Sequence, residues 1–160
     1  MRRGRCRVTP PAKYIDTENQ QGEVMIKVRV GEQVWEFDRD RIVGLLCGAL
    51  EGGSNYWYSG AHIAEAPPRF EGRVEYKKHL RETGGHWWLD TPFDGGVLML
   101  NDALEGTALR LGIDEVVEGL EKMAVLPAKR HWENLVKDNC DAETGDVFLQ
   151  LALLGEVRYG

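Results

Sequence analysis

Hydrophobic and polar positions alternate with period two over residues 26–37 and switch to a helical period immediately afterwards. Ile26, Val28 and Val30 alternate with Lys27 and Arg29, Gly31-Glu32 offers a two-residue turn, and Val34-Trp35-Glu36-Phe37 runs back. That pattern predicts a β-hairpin. Ile42, Leu45, Leu46, Ala49 and Leu50 then recur at i, i+3, i+4, i+7 and i+8, which predicts an amphipathic helix over 39–51 with one buried face. Asp38 or Asp40 is placed to cap its first turn, and Gly52 or Gly53 to supply the left-handed residue that ends it.

Residues 59–85 are the least regular part, with Pro67-Pro68, scattered charge and only a short candidate strand or helix around Val74–Leu80. An excursion is expected there. His86-Trp87-Trp88-Leu89 and Gly96-Val97-Leu98-Met99-Leu100 flank a Pro- and Gly-bearing connection and predict a second hairpin. After Asn101 the period becomes helical again: Val116, Val117, Leu120, Met123 and Ala124 follow Asp114, then Trp132, Leu135 and Val136. The last helix, from Asp141 or Thr144 to Leu154, carries Val147, Phe148, Leu149, Leu151, Ala152, Leu153 and Leu154 on every side, the mark of a central buried helix ended by Gly155. The expected fold is α+β: an antiparallel sheet from two hairpins packed against about four helices.

Composition narrows the function classes. A chain of 160 residues, 42% hydrophobic, has room for one domain with a substantial core, expected over 25–160. Residues 1–24 hold Arg2, Arg3, Arg5, Arg7 and Lys13 with almost no apolar periodicity and read as a flexible basic arm that can touch nucleic acid or a partner. Met25 would itself serve as a start, so this arm reads as an extension. The formal charge of −6 opposes a general nucleic-acid or anionic-membrane binder. Cys6, Cys47 and Cys140 are widely spaced, suggesting neither a disulfide framework nor a zinc site. No apolar run is long enough to span a bilayer, and the N-terminus lacks a signal-peptide core. A soluble protein of the reducing cytoplasm is expected.

Candidate chemistry concentrates where the first helix ends. Ser54, Asn55, Tyr56, Trp57 and Tyr58 follow two glycines, and an amide beside flat rings with polar edges suits a planar polar ligand. The other reading makes Tyr56–Tyr58 a strand with Trp57 in the core. On the buried last helix, Asp146 and Gln150 lie four apart and share a face. Each must find a partner to offset its desolvation. That partner is either protein, with Asp146 as a helix cap and Gln150 on the backbone of the Gly52–Asn55 turn, or a ligand held against the Asn55–Tyr58 stretch. Arg69 and Arg73 belong to the main basic concentration of the folded part and are the candidate counter-charges for an anion, against a reading as solvated surface. His62, His79, His86 and His131 lack metal-ligand spacing, and no nucleophile elbow or phosphate-binding loop is present. The presumption is against catalysis, with no cofactor and no metal expected.

Two segments carry a resemblance: Ala49-Leu50-Glu51-Gly52-Gly53-Ser54-Asn55-Tyr56-Trp57, and Asp141-Ala142-Glu143-Thr144-Gly145-Asp146-Val147-Phe148-Leu149-Gln150 continuing through Gly155-Glu156 to Tyr159-Gly160. They resemble segments of a family of small, uncharacterised bacteriophage and prophage proteins. No activity comes with the resemblance. In that setting the aromatic-rich segment and the lack of a catalytic constellation lead to the expectation of a non-enzymatic anti-defence protein of the infected bacterial host, sequestering a nucleotide-type immune second messenger. A homo-oligomer with pockets near subunit interfaces is the expected form. Tyr56, Trp57, Trp87 or Trp88 would stack on a base, Asn55 and Gln150 would read polar edges, and Arg69 or Arg73 would meet phosphate. Two other classes stay open: an inhibitor that binds a host protein, and a small hydrolase of a phosphorylated molecule.

Overall fold

The computed structural model describes residues 24–84 and 88–160. Most of the expected basic arm and the ring expected at Trp87 therefore lie outside the described residues. The architecture is α+β, with five α-helices and two antiparallel sheets among the described residues.

The first hairpin forms as its alternation requires. Strands β1 (Met25–Val30) and β2 (Gln33–Asp38) pair from Met25↔Asp38 to Val30↔Gln33, with left-handed Gly31 in the turn. Ile26, Val28 and Phe37 face the core, and Phe37 and Trp35 meet the ring of Trp132 edge-on at 5.3 and 5.6 Å. Asp38 caps helix α1 (Arg39–Gly48) by accepting from the Asp40 N–H.

Helix α1 does not end on a left-handed glycine. It widens into a π-helical turn, Ala49–Gly53, closed by the Ser54 N–H donating to the Ala49 carbonyl at 2.8 Å. Gly53 is required for space: a Cβ there would overlap the carbonyl oxygen of Ala142. A π-turn inserts one residue relative to the α register. It thereby re-aims the Ser54–Tyr58 stretch at the end of the helix.

The second sheet has partners that the local pattern does not predict. Strand β3 (Tyr58–Glu65) pairs with β4 (Val97–Asp102), which pairs with β5 (Ala108–Leu111). The apolar run at 96–100 is therefore a strand as expected, but Trp88 and Leu89, the described part of the segment expected to pair with it, are not its partners. Trp88 and Leu89 enter a series of turns, held by bonds such as Asp94 N–H to the Asp90 carbonyl and Gly96 N–H to the Thr91 carbonyl. The first hairpin and strands β3, β4 and β5 form two separate sheets rather than the single sheet expected. Between β3 and these turns runs helix α2 (Arg73–Thr83), so the stretch expected to be irregular carries a strand and a helix.

Helices α3 (Ile113–Met123), α4 (Lys129–Val136) and α5 (Ala142–Leu154) complete the fold. Asp141 caps α5 through a 2.7 Å bond from the Thr144 N–H, and left-handed Gly155 ends it. Nine successive residues, Thr144–Ala152, are buried, as expected for a central helix. Neighbours approach α5 where side chains are missing: a Cβ on Gly145 would lie 2.8 Å from the Ala49 nitrogen, and one on Gly119 of α3 would lie 2.7 Å from the Ala152 Cβ. One hydrophobic cluster draws on every element from β1 to α5. Among the described residues no helix is long and apolar enough to cross a membrane.

Candidate functional site

Five of the residues singled out in the sequence meet around one carboxylate. Asp146 points from α5 toward the turn after the π-helix, where its Oδ1 accepts from Ser54 Oγ and Trp57 Nε1, each at 2.7 Å. Its Oδ2 accepts from Tyr56 OH at 2.7 Å and Gln150 Nε2 at 3.0 Å. The indole and the amide NH2 only donate, so both carboxylate oxygens act as acceptors, a charge-assisted arrangement that satisfies a buried charge. Asp146 is therefore not the helix cap; Asp141 is.

Gln150 extends the network in another direction than expected. It does not hold the Gly52–Asn55 turn. Its Oε1 accepts from the backbone N–H groups of Arg158 and Tyr159 at 2.8 and 2.7 Å, and its Nε2 donates to the Tyr159 carbonyl at 2.9 Å. The irregular segment 156–160 is thereby laid back across α5. Tyr159 then donates its hydroxyl to Asp102 Oδ2 at 2.9 Å, while its ring sits 5.6 Å from that of Trp57 at a 32° tilt. Asp102 Oδ1 accepts from the Leu104 and Glu105 N–H groups. Burial raises the Asp102 pKa, but these two N–H groups and the Tyr159 hydroxyl outweigh it and hold the carboxyl below its ordinary value.

Within this network Trp57, Ser54 and Gln150 have no exposed surface. Trp57 thus occupies the core position of the strand reading, and no face of its ring is open to a ligand. Tyr56 differs, being 50% exposed although its hydroxyl is engaged. Burial, then the Asp146 carboxylate, pushes its phenol up to about 12. Tyr58 donates to the Leu50 carbonyl. Asn55 is exposed and reaches only the Glu51 carbonyl, at 3.4 Å.

The remaining predicted residues lie apart from this network. Arg69 is 3.7 Å from Asp94 Oδ2 and its guanidinium faces the Phe70 ring; Arg73 donates to the Ile63 carbonyl at 3.4 Å. Trp88 packs half-buried against the core. Arg69 belongs to a second polar cluster in which Arg39 binds Asp90 at 2.9 Å and Asp94 at 3.0 Å, and Tyr76 donates to Asp94 at 3.0 Å. That cluster fastens the turns before β4 to α1 and α2.

The open space near the network lies on the other side of Asp146. A groove of about 260 Å³ is lined by Arg130, His131, Glu143, Asp146, Val157 and Tyr159, among others. His131 is buried, and burial followed by the Arg130 charge lowers its pKa, favouring the neutral ring. Its Nε2 accepts from Arg130 Nε at 3.1 Å, which assigns the proton to Nδ1, donating to Thr144 Oγ1 at 3.1 Å. Arg130 also pairs with Glu143 at the surface.

Sequence reasoning missed Arg130, His131, Glu143, Asp102 and Tyr159 as members of the site. Asp102 had a readable signal, since an Asp that accepts from N–H groups two and three residues on is a turn former. The others had none, because chain separations such as Trp57 to Tyr159 close only in three dimensions. Among the described residues no cluster of three or more His, Cys, Asp or Glu side chains is arranged to hold a metal ion. No protein-family model matches the chain, and neither a curated protein nor a solved structure matches it significantly.

Proposed function

We propose that this chain binds and sequesters a small nucleotide-type ligand without transforming it, as a phage anti-defence protein acting in the cytoplasm of the infected host and assembled as a homo-oligomer. The observation that supports this reading is the groove beside Asp146. It sets a guanidinium, Arg130, at the rim and an aromatic side chain, Tyr159, in the wall, the pair of groups that phosphate and a planar base require. Its volume of about 260 Å³ suits a mononucleotide-sized part of a ligand; drug-sized molecules fill roughly 300–1,000 Å³. A larger concavity of about 520 Å³ includes Arg73, but it is an open surface over Glu71–Lys78 with no aromatic side chain in its lining to meet a base.

The test is thermal unfolding with a panel of cyclic dinucleotides, cyclic oligonucleotides and cyclic ADP-ribose isomers. At a hundred times Kd a native-state ligand adds about 2.7 kcal/mol, a rise of roughly 5–10 °C for a chain this size. Arg130→Ala should abolish the rise, and Glu143→Gln should enlarge it by freeing the guanidinium. No shift with any member of the panel would refute the reading. Recovery of the ligand intact after denaturation separates sequestration from hydrolysis.

A second reading, an inhibitor of a host protein, is favoured by one observation. Val125, Leu126 and Val157 are 55, 80 and 46% exposed, and Val157 lies in the wall of the groove. Exposed aliphatics at such a place suit a protein contact. A single stoichiometric partner retained by the wild type and lost by Leu126→Asp, with an empty nucleotide panel, would establish this reading over the first.

A further inference from the structure

The segment after α5 is bonded much as a ligand would be. Residues 156–160 form no helix or strand, and side chains hold them in place. Gln150 grips the main chain of Arg158 and Tyr159 through three hydrogen bonds, using both ends of its amide. Asp102 takes the Tyr159 hydroxyl, and the Trp57 ring lies alongside the Tyr159 ring. A planar ring against an indole, a donor–acceptor edge on an amide and a far hydroxyl on a carboxylate are the contacts by which proteins hold small planar molecules. Each holding group is part of the fixed scaffold: Trp57 and Gln150 are fully buried, and Asp102 is 1% exposed. Tyr159 itself is only half-buried, and it also forms a wall of the open groove.

We infer that residues 156–160 are a displaceable strap and that Tyr159 is an internal pseudo-ligand, holding the place of a planar ring whose edge carries adjacent hydrogen-bond donor and acceptor groups. When the strap lifts, the groove beside Asp146 joins the cradle of Trp57, Gln150 and Asp102 into one longer site. The ring of the incoming molecule then lies against Trp57 in the place of Tyr159, a deeper seat than the Tyr159 wall offers while the strap is down, and its remainder lies toward Arg130. The identity of that molecule as a nucleotide rests on the function proposed above, but the strap does not. Its contacts are few and side-chain mediated, the kind that open locally without unfolding the core. As a tethered competitor, it reduces the apparent affinity for any external ligand to the intrinsic affinity multiplied by the fraction of time that the cradle is empty.

Two measurements on the 160-residue chain test this. Amide hydrogen exchange should show the Arg158 and Tyr159 N–H groups exchanging at least about 100-fold faster than those of Phe148 and Leu149, as sub-global opening requires. Exchange of both pairs at one rate would mean that the strap leaves only with global unfolding, and would overturn the inference. The second measurement uses the capped peptide Val-Arg-Tyr-Gly, copied from residues 157–160, as the probe. It should bind Tyr159→Ala, in which the ring slot beside Trp57 and Asp102 is empty and only the three main-chain bonds to Gln150 hold the strap, and not the wild type, whose own complete strap is present at an effective concentration on the order of millimolar. Failure to bind a folded Tyr159→Ala chain would overturn the inference. Tyr159→Phe guards against a folding defect, because it loses only the bond to Asp102 and should speed strap exchange several-fold. Peptide binding with no response to any nucleotide in either chain would leave the strap standing and remove the nucleotide reading.

Discussion

Asp146 shows how one buried carboxylate organises its surroundings. Four donors converge on it, and one of them, the fully buried Trp57 indole, donates to no other group. Asp146→Asn puts an NH2 group against at least one of those donors, so a buried donor loses its acceptor. We expect a loss of about 2–3 kcal/mol in urea denaturation, with altered near-ultraviolet ellipticity from Trp57. Tyr56 gives a pH signature at the same place. Its folded pKa is raised to about 12 from 10.0. The stability that it contributes is therefore fully present below pH 10 and is lost as pH rises through 12, because the unfolded chain releases its proton first. Tyr76, also pushed up to about 12 by burial and the Asp94 carboxylate, adds to the same alkaline limb. Tyr56→Phe should make that limb shallower between pH 10 and about 12. It should also lower stability near neutral pH by about 1 kcal/mol through its lost hydroxyl contacts. An unchanged alkaline slope would count against the assignment.

At the level of elements, glycine positions distinguish packing from simple helix preference. Gly44 sits exposed within α1, where a Cβ would meet nothing. Gly145 sits within α5, where a Cβ would press on the Ala49 nitrogen and the Leu45 carbonyl at 2.8 and 3.0 Å. Gly44→Ala should therefore stabilise by about 0.5–1 kcal/mol, since it removes only the helical disadvantage of glycine. Gly145→Ala should destabilise by about 1–3 kcal/mol, as overpacking does. Thermal melts of the two variants check both signs. A loss at Gly145 would also shift the π-helical turn, because Ala49 begins that turn.

Across the whole molecule, two polar clusters fasten segments that regular structure leaves loose. The Asp146 network holds the turn after α1 and the tail after α5. The Arg39 cluster holds the turns at 88–95, across separations of 51 and 55 residues. Arg39→Ala leaves Asp90 and Asp94 close together and largely, though not fully, shielded from water without their shared cation. We expect it to cost about 2–3 kcal/mol, below the roughly 3–5 kcal/mol of a fully buried pair. The loss should fall by about half in Arg39→Ala combined with Asp94→Asn, measured by chemical denaturation as a double-mutant cycle.

The features legible in the chain alone are those that rest on neighbouring residues. Alternation around Gly31 specifies the first hairpin, the helical periods specify α1, α3 and α4, and an all-round apolar surface marks α5 as central. The need of Asp146 and Gln150 for partners is legible too, because an isolated polar group on such a helix is too costly to bury. Which partners they take is settled by the folded arrangement. Strand β3 is hard to read because its Tyr58-Ser59-Gly60-Ala61-His62-Ile63-Ala64-Glu65 buries only Ile63, and its pairing with β4 is a long-range contact. The second hairpin fails for the same reason: an apolar run identifies a strand, but hydrogen-bond geometry between distant segments selects its neighbour. Trp57 and Tyr159 lie about a hundred positions apart in sequence, and no local period can encode that one ring covers the other. Local physics fixes what each segment must bury; the closing of loops across the chain decides against what.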